Sequence, residues 1–264
     1  MSIQLVSDNE AQPQSRQPVT GNVFAPSTEG DDLRKAPPGL TADNMNDPLA
    51  VPALGPTSRS ISIAVQMGMK RAFDLVVASS ALVVLSPLFL IVSLAIRIDS
   101  KGSAFFTQER WGLRGKKIRI YKFRTMRADL ADPAGVVQAT RNDPRVTRLG
   151  QFLRQSNIDE LPQLLNVVMG DMSLVGPRCH PIGMLAAGVP YEVLEPRYHL
   201  RHTVKPGITG LAQASGYRGS TEDPAAALGR IALDLHYIRN FSFWLDMRII
   251  AQTVASEWRG GTGF

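Results

Sequence analysis

Residues 75–96, LVVASSALVVLSPLFLIVSLAI, run for twenty-two residues without a charged side chain and carry Ser86-Pro87 at their middle. A helix that crosses a bilayer needs about 20 mostly apolar residues, so length alone fits a span. The flanks oppose it. Lys70 and Arg71 precede the run, and Arg97, Lys101, Arg110, Arg114, Lys116 and Lys117 follow it, whereas a crossing segment keeps its Lys/Arg excess on one side. Pro87 removes a helix hydrogen bond and its ring collides with the preceding turn, and the Ser86 hydroxyl suits part of the backbone this frees. A helix that enters the bilayer, bends at Ser86-Pro87 and returns satisfies both observations. A single span with a tolerated proline kink is the alternative. A cleaved signal peptide is set aside, because the run starts late, is too long and shows no small-residue cleavage pattern.

The remaining composition bounds what such a segment serves. At 264 residues there is room for one good-sized domain plus accessories. Residues 1–60 hold four Lys/Arg against seven Asp/Glu amid Pro, Ser, Asn, Gln and Gly, a makeup that cannot bury a core and predicts a disordered tail. Taking that net of minus three from the chain's plus six leaves plus nine on residues 61–264. Fourteen Lys/Arg against five Asp/Glu lie between Arg97 and Arg154, directly after the apolar run, where anionic headgroups or phosphorylated ligands are met. Nucleic acid is not expected as a partner, because no nucleic-acid module is present and the basic residues are not interleaved with stacking aromatics. One cysteine, Cys179, excludes an internal disulfide framework, and the four histidines form no compact ligand cluster. Three segments are expected: the tail over 1–60, a membrane-helix region over 61–103, and a globular catalytic region over 104–264 that forms one domain with that helix.

Within the last segment, FFTQERWG and KIRIYKF alternate polar and apolar residues around Gly-rich turns, predicting a short β-hairpin. Between Thr147 and Met169, apolar residues recur at three- and four-residue spacings, predicting two helical pieces. A helix starting near Ile158 or Asp159 accommodates Pro162 in its first turn and sets Asp159 and Glu160 at its positive end. Helical patterns also cover Pro181–Tyr198, Pro224–Phe241 and Phe243–Trp258. The last has an apolar stripe that suits either a membrane surface or a protein core.

Chemistry concentrates in RQSNIDE, residues 154–160, where Arg145, Arg148 and Arg154 precede two adjacent carboxylates. Phosphoryl transfer uses a nucleophile or base, a divalent cation on oxygen ligands and guanidinium groups matched to phosphate. Arg154 with Asp159 and Glu160 supplies those parts, and a carboxylate is able to attack phosphorus and form an acyl phosphate. The plainer reading, favoured by spacing alone, is a capped helix whose acids pair with arginines. Lys122 and Arg124, Gly176-Pro177-Arg178, and Lys205-Pro206-Gly207-Ile208-Thr209-Gly210 each put a base beside rigid or Gly-permitted backbone, which suits a phosphate and equally an ordinary turn. If residues 117–124 form a strand, Lys122 and Arg124 share a face. Asp234, Tyr237 and Asp246 read as surface helix positions.

In order, the blocks KRAFDLVVASSALVVLSPLFLIVSLAIRIDSKG, FFTQERWGLRGKKIRIYKFRTM, RVTRLGQFLRQSNIDELPQLLNVVMGDMSLVGPR and KPGITGLAQ resemble the bacterial sugar transferase family, from about Met69 onward. These are monotopic polyprenyl-phosphate phosphoglycosyl transferases that begin exopolysaccharide and glycan assembly. The resemblance implies an α+β, mainly helical fold: a re-entrant membrane helix broken at Ser86-Pro87, a small β-hairpin, and amphipathic interfacial helices around an active site on the cytoplasmic face of the bacterial inner membrane. It implies transfer of a hexose 1-phosphate from a UDP-sugar to undecaprenyl phosphate, with release of UMP and with magnesium as cofactor. Asp159 is then similar to the nucleophile at the metal and Glu160 to its acidic partner. Arg154, Lys122, Arg124 and Arg178 correspond to substrate-phosphate-binding positions. The chain departs from the family where proline often follows GPR, since Cys179 stands there; a packed thiol is the expected role. Galactose or glucose is the favoured sugar. Membrane lipids are expected partners, and a homo-oligomer and downstream glycosyltransferases are left open. The competing class is a non-catalytic membrane-surface scaffold for anionic lipids and partner proteins.

Overall fold

The computed structural model describes residues 59–130, 143–219 and 221–258. Helix α1, Arg59–Val84, is followed by α2, Ser86–Asp99, and the axes of the two differ by 59°. Pro87 occupies the first turn of α2. Its missing N–H leaves the carbonyl of Val83 without its usual donor, and the Ser86 hydroxyl donates to that carbonyl at 2.8 Å. Ser-Pro thus bends the helix without stranding a polar group at an apolar site. No single helix among the described residues is long and apolar enough to cross a membrane, whereas the bent pair meets that test together. Val76, Val83, Val84, Leu90, Ile91 and Leu94 are exposed on it.

The foot of α1 is fastened by three charged side chains. Arg71 donates to the carbonyls of Val167 and Val168 at 2.7 and 3.1 Å. Asp74 accepts from Ser173 Oγ and Leu174 N. Lys70 donates to Val175 O at 2.8 Å and pairs with Asp246 at 2.6 Å, while Tyr237 donates to the other Asp246 oxygen. Asp246 is therefore a buried partner of α1 and Tyr237 a buried partner of Asp246, as Asp234 is of Arg201, and none of the three is the surface position expected. A helical stripe alone does not tell a solvated carboxylate from one whose partner lies far away in sequence.

Strands β1, Phe105–Trp111, and β2, Lys117–Phe123, form the expected antiparallel hairpin, with Phe105 opposite Phe123 and Trp111 opposite Lys117. Ile120 packs against Ala78, Leu164 and Val167, and Phe123 packs with Val92, Ile96 and Leu153. The hairpin is thereby wedged against both α1 and α2. Helix α3, Arg148–Gln155, is capped by Thr147, whose side chain accepts from Gly150 N. Gly150 lets α3 approach the hairpin's exit, since a Cβ there would lie 2.0 Å from Thr125 O.

Helix α4 covers Gln163–Met169 and starts later than expected. Asp159 and Glu160 lie in a separate 3-10 turn, Ile158–Glu160. Pro162 explains this: it has no N–H to give Ile158 O, so the i→i−4 ladder cannot run through the acids. Shorter bonds replace it, Glu160 N to Asn157 O and Leu161 N to Ile158 O.

Strand β3, Ser173–Val175, is followed by a small hairpin of β4, Leu185–Ala186, and β5, Val189–Pro190, and by α5, Tyr191–Leu194. The helical patterns expected within Pro181–Tyr198 are thus realised only in the short α5. Gly183 and Gly188 hold positive φ and Pro190 cannot continue a helix. Strand β6, Gly207–Thr209, pairs in parallel with β3. Helices α6, Leu211–Ala214, α7, Pro224–Arg239, and α8, Phe243–Trp258, complete the fold. Asp223 caps α7 through the N–H groups of Ala225 and Ala226. Helix α8 buries Ile249 against Val175, Leu211 and Tyr237 and exposes Trp244, Val254 and Trp258. The fold is α+β and mainly helical. Of the tail expected over 1–60, residues 1–58 lie outside the described residues, and Arg59 and Ser60 open α1.

Candidate active site

The turn Ile158–Glu160 is met from two sides, and its two acids receive opposite treatment. Lys122, near the end of β2, places Nζ 2.6 Å from Glu160 Oε1. Arg178 grips the same carboxylate with both terminal nitrogens, at 2.5 and 3.0 Å. Burial alone would raise the Glu160 pKa, but these two cations hold it well below the usual carboxylate range. Asp159 is also buried, yet its carboxylate makes no hydrogen bond with a described residue. Desolvation pushes its pKa up to about 6; Glu160 adds to the rise, while Lys122, Arg154 and Arg178 work against it. A desolvated acid beside cations that do not bond it is a reactive arrangement, because anionic oxygen is at hand without strong solvation.

Arg154, in the last turn of α3, donates to Thr125 Oγ1 at 2.8 Å and faces Asp159 electrostatically. Arg178 is aimed by its backbone. Its carbonyl accepts from Arg201 Nη2 at 2.7 Å, and the next carbonyl, of Cys179, accepts from Arg110 at 2.7 Å. Arg201 is itself fixed by a buried ion pair with Asp234 at 2.5 Å. The GPR and KPGITG segments interlock: Gly176 N donates to Thr209 O and Gly207 N to Pro177 O. A Cβ on Gly207 would stand 2.1 Å from Gly176 N, so this crossing requires glycine.

Asp159, Glu160, Lys122, Arg154 and Arg178 are therefore neighbours. Arg124 is placed differently. Past the end of β2 its guanidinium turns to the carbonyls of Lys101 and Ser100, at 2.5 and 2.6 Å, where it closes the C-terminal end of α2. Ser86 and Pro87 form the helix break described above. Cys179 is a buried free thiol in the core with Ala78 and Ile120. Thr125, Arg201 and Asp234 were not identified from the sequence. Thr125 stood within the quoted KFRTM block, but nothing local marks Arg201 and Asp234 as partners 33 residues apart.

Among the described residues no three His, Cys, Asp or Glu side chains gather as a ready metal cage. Of the acidic pair, Glu160 is committed to Lys122 and Arg178, and Asp159 is the one whose oxygens no described residue hydrogen-bonds. That donor set fits magnesium, which keeps several waters and binds through one or two carboxylates plus substrate phosphates.

A desolvated carboxylate among guanidinium and ammonium groups, next to an apolar bent helix pair, is an arrangement suited to phosphorylated substrates at a membrane surface. Residues 65–260 match the bacterial sugar transferase family, and the chain belongs to that family. It is 58% identical over 196 residues to the exopolysaccharide production protein PSS of Rhizobium leguminosarum bv. phaseoli, covering 74% of this chain and 98% of that protein. It is 46% identical to a UDP-glucose:undecaprenyl-phosphate glucose-1-phosphate transferase of Klebsiella pneumoniae, over 72% of this chain and 40% of the relative. A UDP-N-acetylgalactosamine-undecaprenyl-phosphate N-acetylgalactosaminephosphotransferase of Aeromonas hydrophila is 40% identical, over 70% and 43%. The chain thus spans about two-fifths of the length of these two longer relatives.

Proposed function

We propose that the chain transfers a hexose 1-phosphate, with glucose favoured, from a UDP-sugar to undecaprenyl phosphate as the first membrane step of exopolysaccharide synthesis. The observation that carries this reading is the division between adjacent acids: Glu160 is clasped by Lys122 and Arg178, and Asp159 is desolvated and takes no hydrogen bond from a described residue. With a pKa near 6, Asp159 is ionised at neutral pH. Its carboxylate oxygen attacks the sugar-bearing phosphorus of the UDP-sugar, the bond from that phosphorus to the bridging oxygen breaks, and UMP leaves with the electron pair. An oxygen of undecaprenyl phosphate then attacks the phosphosugar on Asp159, forming the carrier diphosphate and regenerating the carboxylate. Arg154, Lys122 and Arg178 offset the charge of two anionic substrates meeting beside two acids. Asp159 is the residue that would hold magnesium, which when bound supplies further neutralisation of the diphosphate.

The bent pair α1–α2 supports a re-entrant anchor with both flanks on the cytoplasmic face. A carrier lipid then keeps its tail in the bilayer while its phosphate reaches the headgroup level where the site lies. Incubation of the membrane-bound protein with undecaprenyl phosphate, magnesium and a panel of UDP-sugars tests the activity through UMP release. Release with UDP-glucose or UDP-galactose and transfer of the sugar phosphate to lipid is expected, and silence with every donor would leave the scaffold reading. A phosphosugar adduct trapped on wild type and absent from Asp159→Asn tests the nucleophile.

A further inference from the structure

Asn157 joins α3 to the turn that carries Asp159, and it does so with φ of 54°, in the left-handed region. Asparagine is one of the few residues that adopts this conformation at modest cost. Its backbone holds both ends of the join: Asn157 N donates to Arg154 O and Asn157 O accepts from Glu160 N. Its side chain leaves the site altogether and donates through Nδ2 to Glu257 Oε2 at 2.9 Å, one hundred residues away. Glu257 lies in the last turn of α8, where the helix dipole disfavours an anion. Arg218 compensates by pairing with its other oxygen and donating through Nε to Gln213 O. An acid kept where its own helix resists it, between a cation and the hinge of the catalytic turn, has a task beyond helix stability.

We infer that Glu257 is a positioning residue for the transfer reaction: by holding the Asn157 side chain it fixes the left-handed hinge and so the placement of Asp159 relative to Arg154 and Glu160. Glu257 touches none of the proposed phosphate-binding groups. Its loss therefore affects the chemical step and not donor binding. This inference rests on the transferase reading above.

Turnover and hydrogen exchange of the full chain in membranes or detergent test it. Glu257→Ala and Asn157→Gly are each expected to lower kcat about tenfold with KM for the UDP-sugar within about twofold, since misplaced catalytic groups cost rate. The double variant should be no worse than the poorer single variant, because both remove the same contact. Glu257→Gln keeps one carbonyl oxygen for Arg218 and, with the Asn157 amide turned over so that its oxygen accepts from the new NH2, keeps the tether, so it should recover most of the rate. Wild-type kcat in both single variants, multiplied losses in the double variant, or a Gln variant as poor as Ala would each overturn the inference. Where Glu257→Ala fails to accumulate, Asn157→Gly decides alone, and wild-type kcat in it is the negative result. Hydrogen exchange over residues 156–161 reads the tether without substrate. Faster exchange there in Glu257→Ala, with β2 unchanged, is expected, and an unchanged rate overturns the inference whatever the activity. A wild-type protein that protects the turn but releases no UMP instead sinks the transferase reading alone.

Discussion

Lys122 Nζ lies 2.6 Å from Glu160 Oε1, and this contact, doubled by the two-pronged grip of Arg178, removes Glu160 from the pool of available carboxylates. Two neighbouring acids in one turn would otherwise compete for the same cations. Glu160 is satisfied and Asp159 next to it is not, so adjacent positions hold one ion-paired carboxylate and one desolvated carboxylate.

Glu160→Gln should separate these roles. The substitution removes a negative neighbour that raises the Asp159 pKa, and it frees Lys122 and Arg178, which already lower that pKa, to turn from Glu160 to Asp159. The acid limb of the pH–rate profile is expected to move down by about one unit. Loss of charge-assisted bonds to both cations should reduce kcat by roughly 10- to 100-fold. A profile that keeps its wild-type acid limb would show that Glu160 does not set the state of Asp159.

The raised Asp159 pKa also predicts a conflict between activity and stability. In the wild type, UMP release should fall as pH drops through about 6, where Asp159 takes up a proton. Stability runs the other way. A carboxyl whose folded pKa lies above its unfolded value stabilises the fold most below the unfolded pKa and loses that contribution as pH rises through the folded one. At pH 8 the ionised, desolvated Asp159 therefore costs the fold on the order of 2–3 kcal/mol. Asp159→Asn should be inactive yet melt several degrees higher than wild type at pH 8, with the gap closing toward pH 5. Thermal unfolding in detergent at the two pH values measures this, and equal melting temperatures at pH 8 would contradict it.

The sequence carried the broken helix, the hairpin and the acidic turn because each rests on local signals: an uncharged run with a proline, alternation between glycine turns, and acids close to arginines. It did not carry the partners. Asp234 and Asp246 looked like solvated helix positions because Arg201 and Lys70 are 33 and 176 residues away. Pro162 was visible, but its consequence, a 3-10 turn in place of a helix start, depends on which carbonyl loses its donor. Arg124 looked equivalent to Lys122 by strand alternation, and the strand ends one residue too early for that rule to hold.

Arg124 should accordingly behave as a structural residue. Its buried guanidinium serves part-buried carbonyls at the end of α2, and Ala in its place removes both those bonds and the packing of a buried side chain. Arg124→Ala is expected to lower stability by about 2–5 kcal/mol, seen as a lower melting temperature and poorer recovery in the membrane fraction. KM for the UDP-sugar in the folded remainder should stay near wild type. Arg178→Ala, at a proposed phosphate contact, should instead raise KM by about tenfold or more. A raised KM in Arg124→Ala at unchanged melting temperature would return Arg124 to the substrate site.

The bend at Ser86-Pro87 makes a prediction about sidedness. If α1 enters and α2 returns, the N-terminal part of α1 and the residues after α2 face the same compartment. Gly68 suits a cysteine probe, since nothing lies within 4 Å of a Cβ added there. Gly102 does not: its φ is 119° and a Cβ would lie 2.2 Å from Arg124 Nη1, disturbing the cap on α2. Exposed Ser103 is the better position on that flank, and buried Cys179 keeps the background low. With an impermeant maleimide on intact cells, Gly68→Cys and Ser103→Cys should both stay unlabelled, and both should label after permeabilisation. Labelling of one from outside and the other only from inside would make α1–α2 a kinked span. Replacing Ser86-Pro87 with Ala-Leu restores the missing N–H and should straighten the pair, sending one flank across the bilayer. The same two probes would then label from opposite sides, which ties the topology to the one hydrogen bond that proline withholds.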